Sequence, residues 1–285
     1  MLFVVERSFA LFLLGGVSRF YGLGQANEIL IVGPSQTMLG IDKVLLETGT
    51  EKHVAKYTRE GVNVFDMHQM IVHYFQTCLH KPQLVIYGVD KYLFTRDGLS
   101  RNSYTLLYPF MDTPSVDEYI LVHASRQDYY LCKYIKLLRF NDLLIGHAIR
   151  GYAGVFANFK YGCFDPAPCR QAIADGKAQL RRLEFDSASL HQFYETMAFL
   201  QKQGVKVLLL CTPYAEPLNS YEPIKTKSAL QLFEKYAADN DSVYFFAAQD
   251  MAVHHEWYAD INHLNPSGQR VLTERIVKHV RGLDL

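Results

Sequence analysis

Glu28–Gly33 reads EILIVG and runs directly into Pro34-Ser35-Gln36-Thr37. An apolar run that does not alternate, closed by glycine and proline, is the pattern of a strand buried on both faces. The polar residues after it suit the start of a helix. Strand followed by helix is the repeating unit of a doubly wound α/β sheet.

Working outward, four more β-rich runs stand out: Val62–Phe65 (VNVF), Gln83–Gly88 (QLVIYG), Val205–Thr212 (VKVLLLCT) and Ser242–Phe246 (SVYFF). Helical spacing fills most of the intervals. Met67–Leu79 carries apolar residues at 67, 70, 71, 74, 75, 78 and 79, one stripe of a helix. Leu190–Leu200 repeats the stripe just before Gly204, which suits a helix C-terminus. The last helix is expected after Asn265-Pro266, with Val271, Leu272, Ile276, Val277 and Val280 on one face. Proline is tolerated at its start because the missing N–H had no partner there.

The expected fold is therefore α/β: a three-layer, doubly wound sheet of about five parallel strands in flavodoxin-like order. Residues 1–285 read as a single domain. Between the third and fourth strands lie about a hundred residues, far beyond an ordinary crossover. Residues 95–185 are expected to form a helical insertion, helical over Tyr119–Ile149, that caps one sheet edge or the site. Its aromatics (Tyr104, Tyr108, Phe110, Tyr129, Tyr130, Tyr134) read as cap core, with stacking on sugar rings the functional alternative.

With 49% hydrophobic and 20% charged residues, the chain is globular and not disordered. Lysine plus arginine equals aspartate plus glutamate at 29 each, so no global field draws nucleic acid, and that class of partner is excluded. Arg139, Arg150, Arg181 and Arg182 read as solvated, with one of them a candidate contact for a polymer anion. Cys78 and Cys211 lie in apolar runs and read as buried thiols, while Cys163 and Cys169 flank a proline-containing loop and are expected free. Near the N-terminus, Leu2–Val5 and Ser8–Val17 are apolar around Glu6-Arg7. The second run is short for a bilayer span and lacks the flanks of a signal peptide. It reads as a first helix packed on the domain, or alternatively as a juxtamembrane segment.

In an open parallel sheet, ligands collect beyond the carboxyl ends of the strands. Ser35 follows the first strand there, with its N–H free to face an anion. A serine at that place has a plain alternative, which is to cap the helix. Asp260-x-x-His263, just before the last helix, supplies what a nucleophilic serine needs: a base, and a carboxylate that fixes the base's tautomer. His254 and His255 stand near this pair, but adjacent histidines diverge and no paired carboxylates accompany them, so no metal site is expected. His68, His73 and His80 read as surface or half-buried residues.

Ile31–Asp42, Pro82–Phe94, Gln203–Pro213 and Trp257–Gly268 together resemble the SGNH (GDSL-like) hydrolase superfamily, outside the inserted segment. The resemblance points to its extracytoplasmic branch, near polysaccharide O-acetyltransferases and D-alanyl transfer proteins. Asp260-Ile261-Asn262-His263-Leu264-Asn265-Pro266-Ser267-Gly268 is the most specific part. By that resemblance Ser35 is the nucleophile, His263 the base and Asp260 its orienting acid, with no cofactor. It implies an ester substrate, either small or an acylated carbohydrate or envelope polymer, a location outside the cytoplasm, and a membrane acyltransferase as a possible partner.

Two departures from the pattern bear on the oxyanion. The family places a glycine N–H after the second strand and an asparagine amide after the third. Here Asp66–Gln69 contains no glycine, and the third-strand block Gly88-Val89-Asp90 has aspartate for asparagine. Each such donor is worth about 3 kcal/mol, and an ionised Asp90 would repel the oxyanion. The Ser35 N–H and the Gln36 amide remain as donors, and Gly88 is a further candidate supporting them from behind. Three readings follow: a serine esterase or O-acyltransferase, an SGNH-fold carbohydrate-binding or assembly module with weak or no catalysis, and a flavodoxin-like nucleotide binder. The third is disfavoured because Gly33-Pro34-Ser35-Gln36 has neither the glycines nor the lysine of a phosphate cradle.

Overall fold

The computed structural model describes residues 2–96, 100, 102–283 and 285. The strands are β1 (Ile29–Gly33), β2 (Val54–Thr58), β3 (Leu84–Val89), β4 (Lys206–Cys211) and β5 (Val243–Ala247). They form one parallel sheet in the order β2-β1-β3-β4-β5. The helices are α1 (Leu2–Tyr21), α2 (Ser35–Gly40), α3 (Lys43–Thr50), α4 (Val64–Thr77), α5 (Pro114–His123) and α6 (Arg126–Tyr134). After them come α7 (Asp142–Ala153), α8 (Ala167–Ala174), α9 (Ser187–Gln203), α10 (Pro223–Ala238) and α11 (Pro266–Arg281).

Alternation along the strands divides the core into two layers. Leu30, Val32, Val85, Tyr87, Val207 and Leu209 face α1, α4, α9 and α10. Ile29, Ile31, Leu84, Ile86, Leu208 and Leu210 face α3 and α11. Each of these side chains is almost fully buried, a gain of about 1.5–3 kcal/mol apiece for the larger ones. Strand order reverses beside β1, whose neighbours are β2 and β3. The loop after β1 therefore opens onto the crevice where such sheets hold ligands.

One strand lies away from its expected place. The second strand is Val54–Thr58 (VAKYT), and Val62–Phe65 is instead a loop and the start of α4. Asn63 explains the difference. Its side chain accepts the N–H groups of Phe65 and Asp66 while the Asp66 carboxylate accepts the Asn63 N–H, a reciprocal cap that commits these residues to a helix. The true strand is disguised by Lys56. Its Nζ is buried, donating to the carbonyls of Met38 (2.7 Å) and Ile41 (2.6 Å), and burial lowers its pKa to about 7.

The insertion is helical but broken: Tyr119–Ile149 comprises parts of α5 and α7, all of α6 and a 3-10 turn at Lys136–Arg139, with Ser125 and Asn141 capping α6 and α7. α7 lies across α1 on glycines. A Cβ on Gly151 would stand 2.0 Å from the Gly16 carbonyl, and one on Gly16 2.4 Å from that of Ala148. Tyr104, Tyr108, Phe110 and Tyr129 are buried as cap core, whereas Tyr130 and Tyr134 are exposed. The second half of α1 packs into the core, and its first half exposes Phe3, Val4, Val5, Phe9, Leu11 and Phe12. No helix among the described residues is long and apolar enough to cross a membrane. Arg139 is not solvated: it is buried, bonded to Asp112 and to the Cys132 carbonyl. The five cysteines are free, with Cys211 buried but Cys78 only half-buried.

His73 is also fully buried, contrary to its sequence reading, and is hydrogen-bonded to Tyr57; His147 is placed likewise against Tyr21. Burial holds both pKa values down at about 4. The unfolded rings take up a proton near pH 6.5 and the folded ones resist it. Stability is thus complete above that pH and is lost as pH falls toward 4. At pH 5 the loss is on the order of 2 kcal/mol per histidine. His73→Gln, which keeps an acceptor but cannot titrate, is expected to lose about 2 kcal/mol less than wild type between pH 7 and pH 5. Urea midpoints at the two pH values check this, and equal losses in both proteins would refute it.

Candidate active site

Ser35 is the first residue of α2, with Pro34 at the capping position and no side-chain cap. The hydroxyl is therefore not engaged as a helix cap. Its Oγ lies 3.0 Å from His263 Nε2. On the far side of the ring, Nδ1 is 3.0 Å from each oxygen of the Asp260 carboxylate. Residues from the first and last thirds of the chain thus meet in one continuous hydrogen-bonded line.

The loop after β5 shapes itself for this. Tyr258 and Leu264 form an antiparallel bridge, and the Ala259 N–H donates to the His263 carbonyl at 2.9 Å. Asp260 Oδ1 accepts the backbone N–H groups of Asn262 (2.7 Å) and His263 (3.0 Å), which folds the carboxylate back under the imidazole. Asn265 then caps α11 by accepting from Ser267 and Gly268. Burial works to raise the Asp260 pKa, but donors from His263, Lys160 and the Asn262 N–H outweigh it and hold the carboxyl well below the ordinary range.

Lys160 escaped the sequence reading. It lies in the insertion, and its Nζ is 2.6 Å from Asp260 Oδ2 and 3.4 Å from His263 Nδ1. No local motif marks it, because its partner stands a hundred residues further on. His254 and His255 do not join the line. His254 stacks on Trp257 and bonds Glu256, and His255 meets Arg170.

Gly61 is the second correction. Because β2 ends at Thr58, the segment that follows it is Arg59-Glu60-Gly61-Val62-Asn63, and it does contain a glycine. Gly61 has φ +75°, a conformation that favours glycine, and it lines the same cavity as Ser35 and Asp90. Gly88, by contrast, is a spacer inside β3. A Cβ there would fall 1.9 Å from Thr37 Oγ1, and one on Gly33 2.4 Å from it, so the two glycines let α2 seat against the sheet.

Asp90 is buried, with Oδ1 accepting the Tyr92 N–H (2.6 Å) and Oδ2 the Tyr214 hydroxyl (2.9 Å). Burial raises its pKa, against the pull of those donors and of Arg181 and Lys91. Gln36 links it to the serine: Nε2 donates to Tyr214 (3.2 Å) and Oε1 accepts from Ser35 (3.3 Å). Two cavities meet at Ser35 and Gln36. One, of about 150 Å³, reaches Gly61, Asn63 and Asp90; the other, of about 400 Å³, runs past Leu180, Leu218 and His263. Tyr92, Tyr214 and Arg181 border both.

No family model matches the chain, and no curated protein matches it. Among solved structures it is similar to a Bacteroides fragilis NCTC 9343 protein provisionally described as an acylhydrolase, at 10% identity over 89% of this chain and 86% of that one, TM-score 0.43. A Streptococcus pneumonia protein provisionally described as a platelet activating factor is similar at 11% identity, over 93% and 91%, TM-score 0.43. A carbohydrate esterase family 2 enzyme with a carbohydrate-binding domain, from Corynascus thermopiles (Myceliophthora fergusii), is similar at 10% identity, over 90% and 65%, TM-score 0.47.

Proposed function

We propose that this chain is an SGNH-type serine esterase or O-acyltransferase that works through Ser35, His263 and Asp260. The observation that carries the reading is the 3.0 Å approach of His263 Nε2 to Ser35 Oγ, with Nδ1 backed by Asp260. His263 takes the hydroxyl proton as Oγ attacks the ester carbonyl, and the imidazolium so formed faces the Asp260 carboxylate. The same proton then passes to the leaving alkoxide, leaving an acyl group on Ser35. Water or a sugar hydroxyl, deprotonated by His263, releases the acyl group in the second step. The oxyanion is received by the Ser35 N–H, with Gly61 as the second backbone donor.

The rival reading, a binding module without catalysis, draws its support from the missing oxyanion donors. Gly61 answers for the glycine, and the asparagine amide is still replaced by Asp90. Its carboxyl is pushed toward the neutral form by burial, which weakens the repulsion that an ionised group would exert on the oxyanion.

The proposed substrate is an acylated carbohydrate or envelope polymer outside the cytoplasm, delivered with or without a membrane acyltransferase. The two cavities meeting at Ser35 and Gln36 offer separate room for an acyl group and an acceptor. A fluorophosphonate probe tests the mechanism. The expected adduct lies on the peptide carrying Ser35, found by mass spectrometry, and labelling of another serine with Ser35 unmodified would overturn it.

A further inference from the structure

Lys160 reaches Asp260 from a strap that is fastened on both sides of it. Before it, the Asn158 carbonyl accepts from Gln269 Nε2 at 2.9 Å. After it, the Gly162 carbonyl accepts from Asn265 Nδ2 at 3.4 Å, and the Phe164 N–H donates to the Tyr258 carbonyl at 3.0 Å. Gly162 (φ +157°) runs so close to the loop that a Cβ there would stand 2.7 Å from the Ala259 carbonyl. All three anchors belong to the loop that carries Asp260 and His263, or to the helix after it. These anchors fix the backbone on either side of Lys160 beside the loop, and from there its ammonium meets Asp260 and His263.

We propose that Lys160 is a positioning residue that sets the pH range over which His263 serves as the base. The inference rests on the triad reading above. When His263 takes the serine proton, a second positive charge forms 3.4 Å from Lys160 Nζ. Lys160 also occupies one of the two carboxylate oxygens that would stabilise that charge. Both effects disfavour the imidazolium, so the ring stays neutral, and competent as a base, to a lower pH. Among the described residues, the other titratable or charged groups facing the ring are Asp260 beneath it and Arg181, Tyr92 and Tyr214 across the larger cavity, with the Ser35 hydroxyl reaching it from α2. Asp90 lies further along, behind Gln36 and Tyr214, and His255 and Glu256 pair away from the ring with Arg170 and His254. The Lys160–Asp260 side chains are 44% and 33% exposed, so solvent and salt keep the coupling moderate. Removing the cation is expected to raise the titration midpoint of His263 by about 0.5–1 pH unit.

The test is an NMR titration of histidine ring resonances in wild type, Lys160→Met and Lys160→Arg, with His263 assigned from His263→Gln. The expected result is an upward shift in Lys160→Met, restoration in Lys160→Arg, and a smaller difference in 1 M salt. Superimposable His263 curves in wild type and Lys160→Met would overturn the proposal, even if the variant melted earlier, since a merely structural role predicts that pattern. The titration needs no turnover. Failure to label Ser35 in wild type would defeat the hydrolase reading and leave the charge coupling measurable. An unmoved midpoint beside normal labelling would defeat only the role of Lys160.

Discussion

Ser35→Ala is expected to lower kcat on a short p-nitrophenyl ester by about four to six orders of magnitude. The loss is that large because the acyl-enzyme route disappears with the hydroxyl, leaving only water held near the oxyanion donors. Folding should be nearly untouched. The side chain caps no helix, and its contacts are the 3.0 Å bond to His263 and the 3.3 Å bond to Gln36. Adding His263→Ala to Ser35→Ala should cost almost nothing further, because a base without its nucleophile does no work. The measurements are kcat for the two single variants and the double variant, beside their circular dichroism. A Ser35→Ala protein within tenfold of wild type would remove this serine from the mechanism.

Asp260→Asn is expected to cost about three to four orders of magnitude in kcat. The amide oxygen can still accept the N–H groups of Asn262 and His263, so the loop keeps its shape. What changes is the face toward the ring. An amide N–H opposite Nδ1 favours the tautomer that carries its proton on Nε2, where it cannot accept from Ser35. Lys160 is left beside the ring without its counter-charge, which makes the imidazolium harder still to form. Because the native carboxyl lies well below the ordinary range, Asp260 stays ionised above pH 4, and its contribution to folding is present above the unfolded value and lost only as pH falls through the folded one. Protonation of Asp260 therefore does not account for activity lost between pH 5 and 7. The variant's pH–rate profile with its kcat checks both points, and near-native turnover would show that the carboxylate is dispensable.

Much of this architecture could be read in the sequence because the relevant physics is local. Fully apolar runs such as ILIVG and LVIYG declare central parallel strands, and Asp260-x-x-His263 ahead of Asn265-Pro266 declares its own loop and helix start. The misreadings arose where a distant group changes the meaning of a residue. Lys56 looks too polar for a strand until the Met38 and Ile41 carbonyls are brought to its ammonium. Asn63 turns an apparently β-rich run into a helix start, and the misplaced strand concealed Gly61. Tyr119–Ile149 gave its helical character but not its breaks, which are set by capping residues and by α1 packing across it. Lys160 had no local signal at all, since its significance is a partner a hundred residues away.

The proposed nucleophile comes early, at the start of α2 just after β1, whereas the proposed base and acid arrive together on the last loop, tied down by a helix that returns from the sheet edge to pack beside β1. On the proposed mechanism, a nascent chain that has built most of the sheet still lacks the base and acid for Ser35, which come into place only with the loop ahead of α11.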